Sequence, residues 1–267
     1  MSLPAPSSEA SAHSRSLVTA IAGEIAARGG WIPFSRFMDM LLYQPGLGYY
    51  SAGARKFGVA GDFVTAPEMS ACFGRALARQ CADLLAVSAP QLLEVGAGSG
   101  RLAADLLGEL ERLDALPAHY DILDLSADLR ERQQATLAAA VPHLLSRVRW
   151  LDRLPARFSG VVIGNELLDA MPADVVAWRE NGICERGVSV DPDGSFTWNE
   201  RPANGALLAA AEEIGRQCQL PPGYESEISL AARAWTGEWG HRLQRGALLL
   251  IDYGFPRREF YHQQRGR

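Results

Sequence analysis

Five short apolar runs alternate with helical stretches between Gln91 and Asp252, and this alternation restricts the fold more than any other feature of the chain. The runs are Gln91–Val95, Tyr120–Asp124, Arg147–Leu151, Gly160–Gly164 and Gly246–Asp252. Between them, Arg101–Leu113 brings Leu102, Leu106 and Leu110 into line on one helical face. Ser126 is placed to cap a second helix over Ala127–Ala140. Short apolar strands separated by helices of this length predict βαβ units, and so an α/β fold with a parallel sheet buried on both faces. Sheets of this kind bind ligands beyond the carboxyl ends of their strands. The residues that follow each run are therefore the ones to examine for chemistry.

The flanking segments read differently. Residues 15–28 place Leu17, Ile21 and Ile25 on one stripe, and Gly29-Gly30 closes that helix. A short helix is expected from Ser35 to Leu42, a structured loop over 54–67, and a further helix from Glu68 to Val87. Asp174–Arg179 and 183–198 read as strands of an antiparallel insertion, with Asp193-Gly194 as a hairpin turn. Glu225–Gln244 reads as one helix. The expected organisation is a disordered tail over 1–14, a helical and loop cap over 15–88, and a parallel-sheet domain over 89–267 with an insertion at about 173–245. The chain stops soon after the fifth run, which suggests that the sheet domain is C-terminally truncated.

Composition narrows the function classes. With 267 residues, 48% hydrophobic and 21% charged, there is material for one large domain and an accessory part. The net charge of −5 argues against a nucleic-acid partner. No stretch approaches the roughly 20 apolar residues that span a bilayer, so no membrane role is expected. The first sixteen residues lack the apolar centre of a secretory signal, and a cytoplasmic protein follows by default. Cys72, Cys81, Cys184 and Cys218 form no C-x-x-C pair, so no metal site is expected. Lys56 is the chain's one lysine, which leaves little room for lysine-based acid–base chemistry.

Four segments carry candidate chemistry. The first is Glu94-Val-Gly96-Ala-Gly98-Ser-Gly100, directly after the first run. Its glycines let the backbone approach a ligand and adopt positive φ, and the next helix can receive a carboxylate at its N-terminus. The dinucleotide pattern G-x-G-x-x-G would need glycine where Arg101 stands, so an NAD enzyme is disfavoured. Glu94 is suited to meet an ammonium group. The second is Asp124 with the adjoining Leu125; an acid there can accept ribose hydroxyls. The third is Asn165, Glu166 and Asp169 after the fourth run, alternatively a helix N-cap with acids in its first turn. The fourth is Gly61-Asp62 in a loop that leads to Pro67, where Thr65 is an alternative cap. Asp152, after the third run, is a candidate for the adenine.

Together these motifs resemble the MidA-like methyltransferases, also called DUF185, whose mitochondrial members assist assembly of respiratory complex I. The matching segments are 37–51, 61–78, 92–107, 120–133, 161–176 and 248–261, and GDF-x-T-x-PE and NE-x-x-D-A-x-P are the specific ones. The resemblance implies a class I, Rossmann-like methyltransferase sheet with helical and antiparallel additions, and S-adenosylmethionine as cofactor. It implies cofactor contacts at Gly61, Asp62, Glu94, Gly96, Gly98, Gly100, Asp124, Asn165 and Glu166. It also implies methylation of a protein arginine, hence a protein substrate. Asp124 stands where the family commonly has Glu, and the family's C-terminal motifs are absent from this sequence.

A sulfonium methyl is a strong electrophile, so alignment of the reactants is the main task. Glu166 and Asp169, with Asn165, are the candidate catalytic residues: carboxylates can hold a guanidinium and localise its charge. Tyr49 and Tyr50 are candidate channel walls or, equally, core. Rival readings are a non-catalytic assembly factor that keeps S-adenosylmethionine as a structural ligand, and a small-molecule methyltransferase.

Overall fold

The computed structural model describes residues 7–51, 65–124 and 126–265. These fall into two compact units, Met1–Ala52 with Met171–Ala234 and Gly254–Arg267, and Gly53–Ala170 with Trp235–Tyr253.

Helix α1 (Ser8–Ala27) begins where the Ser7 hydroxyl accepts the Ala10 N–H at 3.1 Å, seven residues ahead of the expected start and inside the stretch read as a tail. It buries Ile21 and Ile25 and ends at Gly29 and Gly30, both at positive φ. Strand β1 (Ile32–Pro33) and helix α2 (Phe34–Tyr43) follow. Helix α3 (Ala66–Met69) has a proline in its first turn but no side-chain cap from Thr65. The capping hydroxyl of Ser70 then starts α4 (Ala71–Val87), so the single expected helix from Glu68 is two.

The alternating segment folds as expected. Strand β2 (Gln91–Val95), helix α5 (Arg101–Arg112), β3 (His119–Leu123), α6 (Ala127–Ala140), β4 (Val148–Leu151) and β5 (Phe158–Asn165) succeed one another. Ser126 caps α6 as its position suggested. Next come β6 (Asp174–Arg179), β7 (Gly182–Val190), β8 (Phe196–Pro202), α7 (Gly205–Cys218), β9 (Glu225–Ile228), α8 (Leu230–Arg242), β10 (Leu243–Ile251) and α9 (Arg257–Phe260).

In the second unit, five parallel strands run in the order β10-β5-β2-β3-β4. Ala247, Val161, Leu92, Tyr120 and Val148 stand abreast across it. Both faces are covered, which is why consecutive residues such as Leu92-Leu93 and Val161-Val162-Ile163 are apolar. On one face Ala78, Cys81, Leu102, Leu106 and Leu137 pack on Leu92, Tyr120, Ile122 and Val161. On the other, Trp239 of α8 joins Leu93, Val95, Phe158 and Val162. Each fully buried Leu, Ile, Val or Phe among them contributes about 1.5–3 kcal/mol. Chain connections leave β2 toward β3 on one side and return to β5 on the other. The order therefore reverses between β2 and β5, and a ligand crevice is expected outside their carboxyl ends.

In the first unit, β1, β7, β6 and β9 form an antiparallel sheet with β8 also on β7. The β7–β8 turn closes with Gly194 N–H on Asp191 O, as Asp193-Gly194 suggested. Two corrections concern this unit. The expected helix over Glu225–Gln244 is a strand, a helix and the start of another strand. Ile228 is buried in register with Asp174, and the Ser229 hydroxyl accepts the Ala232 N–H at 3.1 Å to start α8. Helix α7 was unforeseen; Leu207, Ala211 and Ile214 form its buried stripe against Trp178 and Tyr224.

Candidate active site

Beyond β2 the chain makes a tight passage into α5. Gly96, Gly98 and Gly100 have φ of +72°, +53° and +82°, a left-handed region where L side chains are strained. Gly100 is the N-cap of α5, and a Cβ there would lie 2.8 Å from Gln133 Cα of α6. Only glycine suits both demands. Gln133 itself is fully buried and ties the site together. Its Nε2 donates to Gly98 O at 3.1 Å and to Asp124 Oδ2 at 2.9 Å, and its Oε1 accepts from Trp150 Nε1 at 3.0 Å. The Thr136 hydroxyl donates to Ser99 O at 2.8 Å, and the Ser99 hydroxyl donates to the Glu68 carboxylate. Sequence reasoning missed Gln133. A polar residue on the helix after the acid is a weak signal until α6 is known to lie on the glycine loop.

Asp124 follows β3, buried, and its Oδ1 accepts the Ser126 N–H at 3.1 Å. Glu94 is one residue short of the end of β2 and is also buried. The Tyr120 hydroxyl donates to its Oε2 at 2.7 Å. Burial pushes the Glu94 carboxyl up to about 7; the Asp124 charge adds to this and the Tyr120 hydrogen bond opposes it. Burial likewise pushes the neighbouring Cys81 thiol up to about 12. Asp152 is well exposed after β4 and pairs with Arg130 Nη1 at 2.7 Å. Arg130 also donates to the carbonyls of Asp124 and Leu151, holding the ends of β3 and β4 together. Gly61, Asp62 and Leu125 lie outside the described residues.

The other half of the crevice is built at the ends of β5 and β10. Asn165 is the last residue of β5, beside Ile251. Glu166 follows at φ +46°, and its N–H donates to Ile251 O at 2.8 Å. No helix starts here, so the reading of Asn165 as an N-cap is corrected. The turn is held instead from β10: Asp252 Oδ2 accepts the N–H groups of Leu168 and Asp169, at 2.9 and 3.3 Å. The Tyr253 hydroxyl donates to Asp169 Oδ2 at 2.5 Å. Asp252 and Tyr253 lie in a segment already singled out for resemblance, but separations of 83 and 84 residues hid their contacts with Asp169.

Three acids thus crowd one strand-end. Burial raises the Glu166 carboxyl, and the charges of Asp169 and Asp252 raise it further. Burial also raises Asp169, opposed by the Tyr253 hydrogen bond and assisted by Asp252. The Asp169 hydrogen bond, followed by burial and the surrounding acids, pushes the Tyr253 hydroxyl up to about 12. Leu167 packs between the two halves: Cβ atoms at Gly96 and Gly164 would come within 3.2 and 2.9 Å of it. Tyr49 and Tyr50 belong to the first unit, where Tyr50 stacks on Tyr43. The donor set of the crevice suits S-adenosylmethionine: backbone N–H groups at α5 for a carboxylate, Glu94 for an ammonium and Asp124 for ribose hydroxyls.

Comparison with known proteins bears on this site. A family model described as "Putative S-adenosyl-L-methionine-dependent methyltransferase" matches residues 76–266. A crystal structure from Burkholderia thailandensis, bound to S-adenosyl-homocysteine, is 48% identical with a TM-score of 0.92 over 100% of this chain and 69% of its own. Among curated relatives, protein arginine methyltransferase NDUFAF7, mitochondrial, from Danio rerio is 27% identical over 93% of this chain and 64% of its own length. The Drosophila melanogaster homologue is 27% identical over 94% and 63%. The chain thus spans just under two thirds of those two relatives. Their mitochondrial names overturn the expectation of a cytoplasmic protein, which rested on a default.

Proposed function

The chain belongs to the family of S-adenosyl-L-methionine-dependent methyltransferases, and from that membership we infer that it transfers a methyl group to a nitrogen of a protein arginine side chain. S-adenosylmethionine is the family's cofactor. The observation that carries the finer reading is the meeting of Glu166, Asp169 and Tyr253 at one strand-end, across the switch point from the glycine loop. The names of the distant relatives point the same way.

Bound cofactor supplies an electrophilic methyl carbon; the rest is the work of the protein. The N-terminus of α5 holds the carboxylate, and Asp124, braced by Gln133, holds the ribose. Arginine is a poor nucleophile while its charge is delocalised over three nitrogens, and its pKa exceeds about 12. Glu166 and Asp169 offer acceptors to two of those nitrogens, which localises charge there and leaves the third richer in electrons. As that nitrogen becomes methylated it loses a proton, and carboxylates with raised affinity for protons are fitted to take it. Asp252 positions Asp169 through the backbone, and Tyr253 fixes its rotamer.

The test has two arms. Calorimetric titration with S-adenosylhomocysteine, beside Asp124→Ala and an NAD titration, examines the cofactor. Incubation with labelled cofactor and a set of arginine peptides, beside the same peptides with lysine, examines the substrate. Label on the arginine set alone supports the reading. Label on lysine, or on neither set while S-adenosylhomocysteine binds, rules the arginine assignment out.

A further inference from the structure

A second concave surface lies on the outside of the second unit, along the groove between α4 and α5. It encloses about 700 Å³ and includes Arg75, Arg79, Arg101 and Arg112 in its walls. Gly74 lets the two helices approach closely, since a Cβ there would lie 2.6 Å from Asp105 Cβ. Two carboxylates serve the four arginines. Glu109 receives the fork of Arg112 at 2.6 and 2.9 Å and lies 3.7 Å from Arg79. Asp105 receives Arg101 at 3.2 Å. The depths of the pairs differ. The carboxylates are sunk, at 6% and 14% exposure, whereas Arg79, Arg112 and Arg101 remain 69%, 60% and 50% exposed. The acids therefore anchor the guanidiniums without covering them, and the groove keeps an excess of two positive charges on a chain whose net charge is −5. The floor between them is small and apolar, formed by Ala104, Gly108, Ala140 and Val141.

We propose that this groove docks an acidic, extended segment of a partner protein. Span argues for a segment over a single small anion. Arg101 and Arg112 stand at opposite ends of α5, about 16 Å apart at its 1.5 Å rise per residue. An extended chain covers that distance in about five residues at 3.3 Å each. A phosphate would engage one end only. The apolar floor suits small side chains alternating with the acids, since successive residues of an extended chain face opposite ways. The planar fork of each of the four arginines can bind a carboxylate with two parallel hydrogen bonds.

The probe is a fluorescein-labelled peptide of four Glu-Ala repeats, titrated against the whole chain by anisotropy at low salt. Binding is expected to weaken at least about tenfold in Arg75→Glu/Arg79→Glu, and to fall as salt shortens the Debye length from about 10 Å at 0.1 M. Arg216→Glu, at an exposed position of α7, is expected to change nothing. Retained binding of S-adenosylhomocysteine reports that each variant is folded, and it keeps this test apart from the fate of the arginine reading. Absence of peptide binding in the folded wild-type chain overturns the proposal, as does binding that survives the double reversal. Tighter binding of a single-stranded oligonucleotide of equal charge overturns the assignment to a protein segment.

Discussion

The two halves of the candidate site treat their acids in opposite ways. At β2 and β3, Glu94 and Asp124 are buried, and each meets neutral donors: the Tyr120 hydroxyl, the Gln133 amide and the Ser126 N–H. At β5 and β10, Glu166, Asp169 and Asp252 are more open; burial raises the Glu166 and Asp169 carboxyls, and the Asp252 charge raises both further. Neutral donors fix a carboxylate's geometry, which suits the half proposed to receive hydroxyls in a set position. Mutual repulsion among partly exposed acids is relieved by a cation, which suits the half proposed to meet the substrate guanidinium. One half is built for position and the other for charge.

The largest expected effect tests the charge half. Glu166→Gln combined with Asp169→Asn should lower single-turnover methyl transfer by about 100- to 10,000-fold, the range for loss of a general base. Affinity for S-adenosylhomocysteine should stay within about twofold, measured by calorimetry. Full activity in the double variant would remove the acids from the chemistry and collapse the division.

The position half is tested next. Hydrogen bonds to a charged acceptor contribute about 1.5–3 kcal/mol each, so losing two ribose contacts in Asp124→Ala should weaken S-adenosylhomocysteine by at least about 100-fold. An unchanged affinity would place the ribose elsewhere. Tyr253→Phe should do less, raising KM for the substrate peptide about threefold. Its hydroxyl lowers the Asp169 pKa, so the acid limb of the pH–rate profile should move upward in the variant. A profile that does not move would make Tyr253 a bystander.

How much of this was legible follows from the range of the forces involved. The parallel strands declare themselves because burial on both faces leaves consecutive apolar residues, as in Leu92-Leu93 and Val161-Val162-Ile163. The glycine loop is legible because its backbone needs are local to Gly96, Gly98 and Gly100. Strands β1 and β9, of two and four residues, carry too little pattern to stand out, and their pairing comes from Val188 and Asp174 far along the chain. Gln133 and Asp252 act through tertiary contacts with no fixed spacing, so only their placement on α6 and after β10 exposes them. Glu166 was singled out as an acid after an apolar run; its left-handed backbone, set by the N–H bond to Ile251, was not foreseeable.

The smallest expected effect separates the halves most finely, and it is a proton count. The Glu94 carboxyl rises from 4.5 to about 7 in the folded chain. Between those values the folded chain holds a proton that the unfolded chain has released. Its contribution to stability is therefore full below about 4.5 and lost as pH rises through about 7. An ammonium group arriving beside Glu94 favours the charged form and should pull this pKa down. Binding of S-adenosylhomocysteine at pH 7 should then release about half a proton, nearly a whole one at pH 6 and almost none above pH 8. Calorimetry in two buffers of different ionisation enthalpy reads this number directly. Glu94→Gln should abolish the release, and the Glu166 and Asp169 double variant should leave it intact. Release that persists in Glu94→Gln would mean that the ammonium meets the charge half, and that the two halves share the cofactor's cation instead of dividing the work.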